Sequence, residues 1–146
     1  ELPHFIHFDN EQKQIEALLR LVKDNLGRNI GILLPNNPEV IRISQEFKDN
    51  DVECEFKYNK GENDFDYVDN LDFNTMLPKI LTYHSAKGLQ FDMVILPLYN
   101  GASDDESRKA LYVAMTRTMH SLYVLYSTQT LLPPLDRVPT HLYLKE

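Results

Sequence analysis

A dense group of small and polar residues follows an apolar run in the segment Thr82–Asp92 (TYHSAKGLQFD). The hydroxyl groups of Thr82 and Ser85, together with backbone N–H groups, can donate to a phosphate, and Lys87 can offset its charge. Gly88 permits a tight turn and a close approach of the backbone. These residue types at the end of a strand indicate phosphate binding. A capped strand-to-helix turn with a solvated Lys87 explains the same residues without any ligand.

A second candidate lies in the segment Arg108–Arg117 (RKALYVAMTR), directly before another apolar run. The helical spacing of Ala110, Leu111 and Ala114 places Arg117 at or just past the end of a helix. A guanidinium group there can pair bidentately with phosphate oxygens, either of DNA or of a nucleotide on a neighbouring domain. The alternative is an arginine that stabilises the helix dipole and binds nothing else.

Other kinds of site are absent from the sequence. No GxxxxGK[ST] occurs among the five glycines, so the chain has no loop of its own to cradle the β- and γ-phosphates of a nucleotide. Asp104-Asp105-Glu106 resembles a Walker B acidic pair but follows Asn100-Gly101-Ala102-Ser103, so we expect a solvated helix N-terminus. The five histidines form no zinc pattern, and no nucleophile–base signature supports a small standalone α/β enzyme.

Alternating strands and helices must position these candidates. The polar residues 59–74 are expected to form a surface loop, with room for one helical turn. The predicted strands are residues 4–8, 29–34, 52–58, 79–83, 93–98 and 121–127, and the predicted helices run from about residue 11 to Gly27, from Pro38 to about Asn50, and over 104–115.

This alternation predicts an α/β domain with a mostly parallel sheet covered by helices on both faces. Ligands of such sheets bind at the carboxyl ends of the strands, and we expect the same here. We assign residues 1–130 to the domain and residues 131–146 to a Pro-rich tail. Within the tail, Pro133–Pro139 is expected to leave the domain as a linker.

Composition narrows the class of protein. The 146 residues are 42% hydrophobic and 25% charged, and no apolar stretch approaches the length of a membrane span, so we expect a soluble domain without a membrane partner. The single cysteine, Cys54, is expected to be a buried strand residue in a reducing, cytoplasmic setting. The start at Glu1 suggests a segment of a longer protein. The net charge of −7 argues against broad nucleic-acid binding, so any such contact must be local.

Three stretches together resemble the C-terminal motor half of UvrD/Rep-type superfamily 1 DNA helicases. TYHSAKGLQFDMVILP resembles motif V of that family, and ESRKALYVAMTRTMHSLYVLYS resembles its motif VI. NIGILLPNNPEVIRISQEFKDNDVECEF resembles the motif IV region. The resemblance implies the three-layer RecA-like P-loop NTPase fold, as a second motor domain without a Walker A loop.

The resemblance also implies roles for particular residues. The side chains that would contact single-stranded or partly duplex DNA, or relay between DNA and nucleotide, are Thr82, His84 and Ser85. Those at the nucleotide would be Gly88, Gln90 and Arg117, with Arg117 as the arginine finger. The implied cofactors are ATP and Mg²⁺, held mainly by the N-terminal RecA-like domain of the same parent chain. Without that domain, this chain is expected to be inactive.

The sequence departs from the family pattern at three places. Gln90 stands where glutamate is usual, and Pro35-Asn36 stands where an arginine near the γ-phosphate is common. Only residues 59–78 separate the motif IV region from motif V, where many members carry a large helical insertion. These departures favour an alternative, a degenerate RecA-like module that binds DNA or protein without hydrolysis.

Overall fold

Apolar runs without polar alternation form the centre of the sheet. The computed structural model describes residues 1–61 and 67–146, and in it β2 (Ile30–Leu34) is buried along its whole length. β5 (Lys79–Thr82) pairs in parallel with one side of β2, and β6 (Phe91–Leu96) pairs in parallel with the other. Such strands need no polar alternation, because neither of their faces meets water.

Five further strands extend this centre to both sides. They are β1 (His4–His7), β3 (Glu55–Asn59), β4 (Tyr67–Asp69), β7 (Thr118–Tyr126) and β8 (Leu144–Lys145). The order across the sheet is β4-β3-β5-β2-β6-β7-β1-β8, and only the β3–β4 pair is antiparallel among the described strands. The predicted α/β class with a mostly parallel sheet is therefore confirmed.

Helices α1 (Glu11–Asp24) and α2 (Asn37–Asp49) cover one face of the sheet. Each begins after an asparagine whose side chain accepts from a backbone N–H group: Asn10 from Lys13 at 2.9 Å, and Asn36 from Glu39 at 3.0 Å. Such a cap contributes about 1 kcal/mol, because it satisfies a donor that the first helical turn leaves unpaired. Both predicted helices are confirmed.

Helix α3 (Asp105–Met115) and a short 3-10 helix (His84–Ala86) cover the other face. Asp104 caps α3, since its carboxylate accepts from the Ser107 N–H at 2.7 Å. Asp104 to Glu106 are exposed, which confirms a solvated helix N-terminus and not a Walker B pair.

The C-terminal tail returns to the sheet, so the predicted departing linker was wrong. Leu135 is buried in the same apolar cluster as α3, and β8 pairs in parallel with β1. Tyr99 Oη donates to the carbonyl oxygens of Leu132 and Pro133 at 2.8 and 2.9 Å. Proline lacks a donor but keeps its carbonyl acceptor, and the leucines on either side of Pro133-Pro134 supply apolar surface. The boundary at residue 130 stays a prediction.

The polar stretch after β3 is not simply a surface loop. Tyr67–Asp69 forms β4, which pairs with β3 so that Val68 lies opposite Tyr58. Residues 62–66, which belong to the stretch 59–74 predicted to be a surface loop, lie outside the described residues. Cys54 lies just before β3 and is half-buried, less than predicted, and burial raises the pKa of its thiol to about 11. No helix in the described ranges is both long and apolar enough to span a membrane.

Candidate functional site

The hydroxyl of Thr82 closes the turn at the carboxyl end of β5. Thr82 is buried, and its Oγ1 accepts from the Ser85 N–H at 3.2 Å and lies 3.1 Å from Ser85 Oγ. Ser85 is half-buried and His84 is exposed. Thr82 therefore caps the 3-10 helix, as the ligand-free alternative predicted, while His84 and Ser85 remain accessible at the edge of the sheet.

The segment from Tyr83 to Gln90 carries the chain from the carboxyl ends of the strands to their amino ends. This return is required because β5 and β6 both run parallel to β2. Gly88 has φ +84°, the left-handed region that favours glycine, and the space around it is open. Exposed Gln90 lies at the amino end of β6, where its carbonyl oxygen accepts from Asn29 Nδ2 at 3.2 Å.

Arg117 lies at the same amino-end edge as Gln90. It follows α3, and its carbonyl oxygen accepts from the Phe91 N–H at 2.8 Å. Its Nε donates to the Val113 carbonyl at 3.1 Å, and its Nη2 donates to Thr116 Oγ1 at 3.1 Å. These bonds hold the guanidinium against the end of α3, as expected for an arginine that caps a helix. They use two of its five N–H donors.

The six candidate residues thus form two separate groups. One, at the carboxyl ends of the strands, contains Thr82, His84 and Ser85, and the other, at the amino ends, contains Gly88, Gln90 and Arg117. Thr82 is paired with Leu34 at the end of β2. The Gln90 carbonyl accepts from the side chain of Asn29, which lies five residues before Leu34 in the chain. The two edges are therefore roughly 16 Å apart at 3.3 Å per residue. The first group lies at the carboxyl ends, where we expect ligands of such a sheet to bind, and the second lies at the opposite edge.

The charge around the two groups is modest. Lys87 is exposed, as the ligand-free alternative predicted, and its backbone N–H donates to the His84 carbonyl at 3.3 Å. Arg108 Nε donates to the Ala102 carbonyl at 3.3 Å, and its guanidinium lies 3.6 Å from the exposed Asp105 carboxylate. Charge at these edges therefore comes from separate side chains and not from a broad basic surface.

A buried ion pair was missed by sequence reasoning. Lys79 Nζ lies 3.2 Å from Glu55 Oε1 and also donates to the carbonyl oxygens of Thr75 and Leu77. Burial opposes ionisation of Glu55, but donation from the Asp72 N–H and the Thr75 hydroxyl, together with Lys79, holds the pKa of that carboxyl below its ordinary value. The sequence held one signal of this pair: Glu55 begins β3 and Lys79 begins β5, and these two charged residues are of opposite sign.

A close contact between β2 and β6 was also missed. A Cβ atom added at Gly31 would lie 2.6 Å from the Phe91 ring, so the absence of a side chain on β2 makes room for that ring. Phe91 begins β6 directly after Gln90, and it is buried. The ring therefore anchors the strand start that presents Gln90 at the sheet edge.

The next question is which residues could hold a metal ion or the phosphates of a nucleotide. Among residues 1–61 and 67–146, no group of three His, Cys, Asp or Glu side chains is arranged to hold a metal ion. The sequence contains no Walker A loop. The amino-end group has two side chains, Gln90 and Arg117, with hydrogen-bonding groups suited to a nucleotide.

Comparisons with known proteins agree with this architecture. Residues 79–125 match the model of the UvrD-like helicase C-terminal domain, a range that contains all six candidate residues. The chain also resembles the C-terminal domain of a possible DNA helicase from Lactobacillus plantarum WCFS1, with a TM-score of 0.74 and 20% identity. That similarity covers 99% of this chain and 85% of the other, and at this identity it shows the fold alone. No curated protein sequence matches the chain.

The sequence resemblance and the fold therefore lead to one assignment. The strands, turn and helix that carry the candidate residues lie inside the matched range, and the remaining strands complete the RecA-like sheet around them. Residues 79–125 match the UvrD-like helicase C-terminal domain model, and the chain as a whole has the α/β fold seen in the C-terminal domain of a possible DNA helicase.

Proposed function

We propose that this chain is the C-terminal motor half of an ATP-dependent DNA helicase. In this proposal Thr82, His84 and Ser85 contact single-stranded or partly duplex DNA at the carboxyl-end edge. Gly88, Gln90 and Arg117 meet ATP and Mg²⁺ held by the N-terminal RecA-like domain of the parent chain, in the cytoplasm. The observation that carries the proposal is the division of the six residues between two edges of one sheet, joined by a short packed segment.

The amino-end group has the chemistry to meet a nucleotide presented by another domain. Gln90 is exposed and can accept from a ribose hydroxyl through its amide oxygen. Arg117 is half-buried, and three of its N–H donors are not used in the two bonds to the end of α3. A guanidinium supplied across a domain interface stabilises charge on the transferred phosphoryl group only when the domains close, which would couple hydrolysis to motion.

The carboxyl-end group has the chemistry to hold a phosphodiester strand. His84 is exposed, and the Ser85 hydroxyl is half-buried beside it. Thr82 also holds the turn that positions them, because its Oγ1 accepts from the Ser85 N–H. A few local donors of this kind suit a protein of net charge −7, because they bind the strand without a broad basic surface.

Two rigid connections would transmit motion between the edges. Ala86, in the 3-10 helix, is buried in the same cluster as Ala110, Leu111 and Ala114 of α3. The other end of α3 leads to Arg117, whose carbonyl oxygen is bonded to the start of β6. A shift of the turn at Thr82–Ser85 would therefore move Arg117 through packed side chains and not through a loop.

A degenerate module that binds DNA or protein without hydrolysis is the second candidate. It is favoured by Gln90 in place of glutamate, by Pro35-Asn36 in place of an arginine, and by the bonds that hold Arg117 against its own helix. The coding sequence upstream of Glu1 separates the two candidates. An apolar strand followed by GxxxxGK[ST] supports the motor, and its absence supports the module.

The direct test is DNA-stimulated ATP hydrolysis by the full-length protein with Arg117→Ala. Arginine fingers contribute about 10³- to 10⁵-fold to the rate of phosphoryl transfer, so we expect a loss of at least about 10³-fold. Arg20→Ala is the matched control, because Arg20 is an exposed arginine on α1, on the other face of the sheet. Unchanged hydrolysis in the Arg117 variant would rule out the assigned role.

A further inference from the structure

Thr116 lies between the end of α3 and the guanidinium of Arg117. It directly follows Met115, the last residue of the helix, and its backbone N–H donates to the Tyr112 carbonyl at 3.1 Å, so the helical hydrogen bonding continues through it. The side chain of Thr116 is exposed at the amino-end edge. Thr116 is therefore next to the group proposed to meet the nucleotide, although it has no assigned role there.

The hydroxyl hydrogen of Thr116 points back into the last turn of α3. Thr116 Oγ1 donates to the carbonyl oxygens of Tyr112 and Val113, each at 3.0 Å. A hydroxyl has one hydrogen and two lone pairs, and carbonyl oxygens can only accept. The single hydrogen is therefore shared between the two carbonyls, and the lone pairs remain for an incoming donor. The hydroxyl is held in place as a hydrogen-bond acceptor.

The guanidinium of Arg117 places one edge of its planar fork against this helix end. Its Nε donates to the Val113 carbonyl, and its Nη2 donates to Thr116 Oγ1, both at 3.1 Å. The other edge of the fork, formed by Nη1 and Nη2, has three N–H donors that these two bonds do not use. A phosphate can therefore pair bidentately with the second edge while the first edge stays on the helix.

The groups that hold the Arg117 guanidinium are neutral. Within residues 1–61 and 67–146, Arg117 forms no ion pair with a carboxylate, whereas Arg108 on the same helix lies 3.6 Å from the Asp105 carboxylate. A carboxylate would compete with a phosphate for the guanidinium, because both are anions of matching geometry. A carbonyl and a hydroxyl instead orient the guanidinium and leave its positive charge available.

Arg117 is thus fixed at both its backbone and its guanidinium. Its carbonyl oxygen is bonded to the Phe91 N–H at 2.8 Å, and its guanidinium is bonded to the helix end. Ordering a long side chain costs rotamer entropy, and here the side chain is ordered before any nucleotide arrives. We propose that Thr116 is a positioning residue, which orients the Arg117 guanidinium for the phosphates of a nucleotide held by the N-terminal domain. The inference rests on the proposed role of Arg117 and adds a residue that acts through it.

The test is DNA-stimulated ATP hydrolysis by the full-length protein with Thr116→Val, which replaces the hydroxyl by a methyl group of similar size. We expect kcat to fall about tenfold with less than about a twofold change in KM for ATP, because a misaligned guanidinium weakens the transition state more than substrate binding. Thr116→Ser keeps the hydroxyl and should retain kcat to within about twofold. Thr118→Val is the matched control at the same edge, since the Thr118 hydroxyl donates to the Ser121 carbonyl at 2.7 Å.

The double variant Thr116→Val with Arg117→Ala separates positioning from a general weakening of the site. Because Thr116 acts through Arg117, the double variant should hydrolyse ATP as fast as Arg117→Ala alone, measured at a proportionally higher protein concentration. A further loss beyond about twofold would overturn the inference. So would an unchanged or higher kcat in Thr116→Val; if Arg117→Ala is slow, that result leaves the proposed function standing. Unchanged hydrolysis in Arg117→Ala would overturn both. Thr116 is exposed, so its substitution is not expected to unfold the chain.

Discussion

The backbone N–H of Phe91 donates to the carbonyl oxygen of Arg117 at 2.8 Å, so the start of β6 and the end of α3 are joined at one point. Gln90 directly precedes Phe91 in the chain, and Arg117 itself supplies the carbonyl oxygen of the bond. Gln90 and Arg117, two of the three residues proposed to meet the nucleotide, are therefore positioned by a single backbone contact. Because a carbonyl oxygen makes the bond, the arginine side chain can be changed without breaking it.

Arg117→Lys should separate the charge of the side chain from its geometry. Lysine keeps the positive charge but lacks the planar fork that pairs bidentately with phosphate oxygens. We expect DNA-stimulated ATP hydrolysis by the full-length protein to fall at least about 10²-fold, out of the about 10³- to 10⁵-fold that an arginine finger contributes. The thermal midpoint should change little, since the Phe91 contact is retained. Hydrolysis near the wild-type rate would contradict the bidentate role.

Gln90→Glu should strengthen the contact with the nucleotide sugar. A carboxylate accepts a stronger hydrogen bond from a hydroxyl than a neutral amide does, by about 1 kcal/mol, so we expect about a fivefold lower KM for ATP. Gln12→Glu on α1 is the matched control, because it makes the same change at an exposed position on the other face. The effect should disappear with 2′,3′-dideoxy-ATP; equal gains with both nucleotides would argue against a sugar contact.

Gly31→Ala should destabilise the fold by about 1–3 kcal/mol through overpacking. The new Cβ atom would lie 2.6 Å from the Phe91 ring, so the ring or the strand must shift. Urea denaturation would measure the loss in the free energy of unfolding. The double variant Gly31→Ala with Phe91→Leu should lose less stability than the sum of the losses in the two single variants, because the smaller side chain leaves room for the methyl group. Strict additivity would show that the ring is not the obstacle.

Lys79→Met should cost about 3–5 kcal/mol of stability, since it leaves the Glu55 carboxylate buried without its partner. Replacing both residues, with Glu55→Gln added, should recover part of that loss. Chemical denaturation of the single and double variants would measure the difference. A single variant as stable as wild type would mean that water or another group compensates the charge.

Stability should also depend on pH through Glu55. The pKa of this carboxyl is lower in the folded chain than its ordinary value, so between those two pKa values the unfolded chain binds more protons. The contribution of Glu55 is therefore complete above the ordinary glutamate range and is lost as the pH falls through the lowered pKa. Denaturation curves taken across that acidic range should show a smaller decline for Glu55→Gln than for wild type. Equal declines would assign the acid sensitivity to other carboxylates.

Thr82→Val and His84→Ala should affect the DNA-side group differently. Thr82 caps the turn from within, so the valine variant should lose about 1 kcal/mol of stability as well as DNA affinity. His84 is exposed, so the alanine variant should lose DNA affinity several-fold with little change in stability. Fluorescence anisotropy with a labelled single strand, alongside thermal melts, would distinguish them. A stable Thr82→Val variant with normal DNA affinity would contradict both roles of the hydroxyl.

Local patterns in the sequence were sufficient for much of the fold. The unbroken apolar run of β2, the existence of helices α1 and α2, and the helical spacing before Arg117 each depend on neighbouring residues, and each was predicted correctly. The motif stretches indicated a resemblance to helicase C-terminal domains for the same reason, and residues 79–125, which contain motifs V and VI almost entirely, match the model of that domain.

Long-range contacts were decided only in the tertiary structure. The prolines of the tail suggested a departing linker, but Leu135 and β8 found partners on strands far away in sequence. Lys79 and Glu55, 24 positions apart, meet only because β3 and β5 are neighbours in the sheet. The separation of Thr82 from Gln90 likewise follows from the parallel direction of β5 and β6, which forces the segment between them to cross the sheet before the next strand can begin.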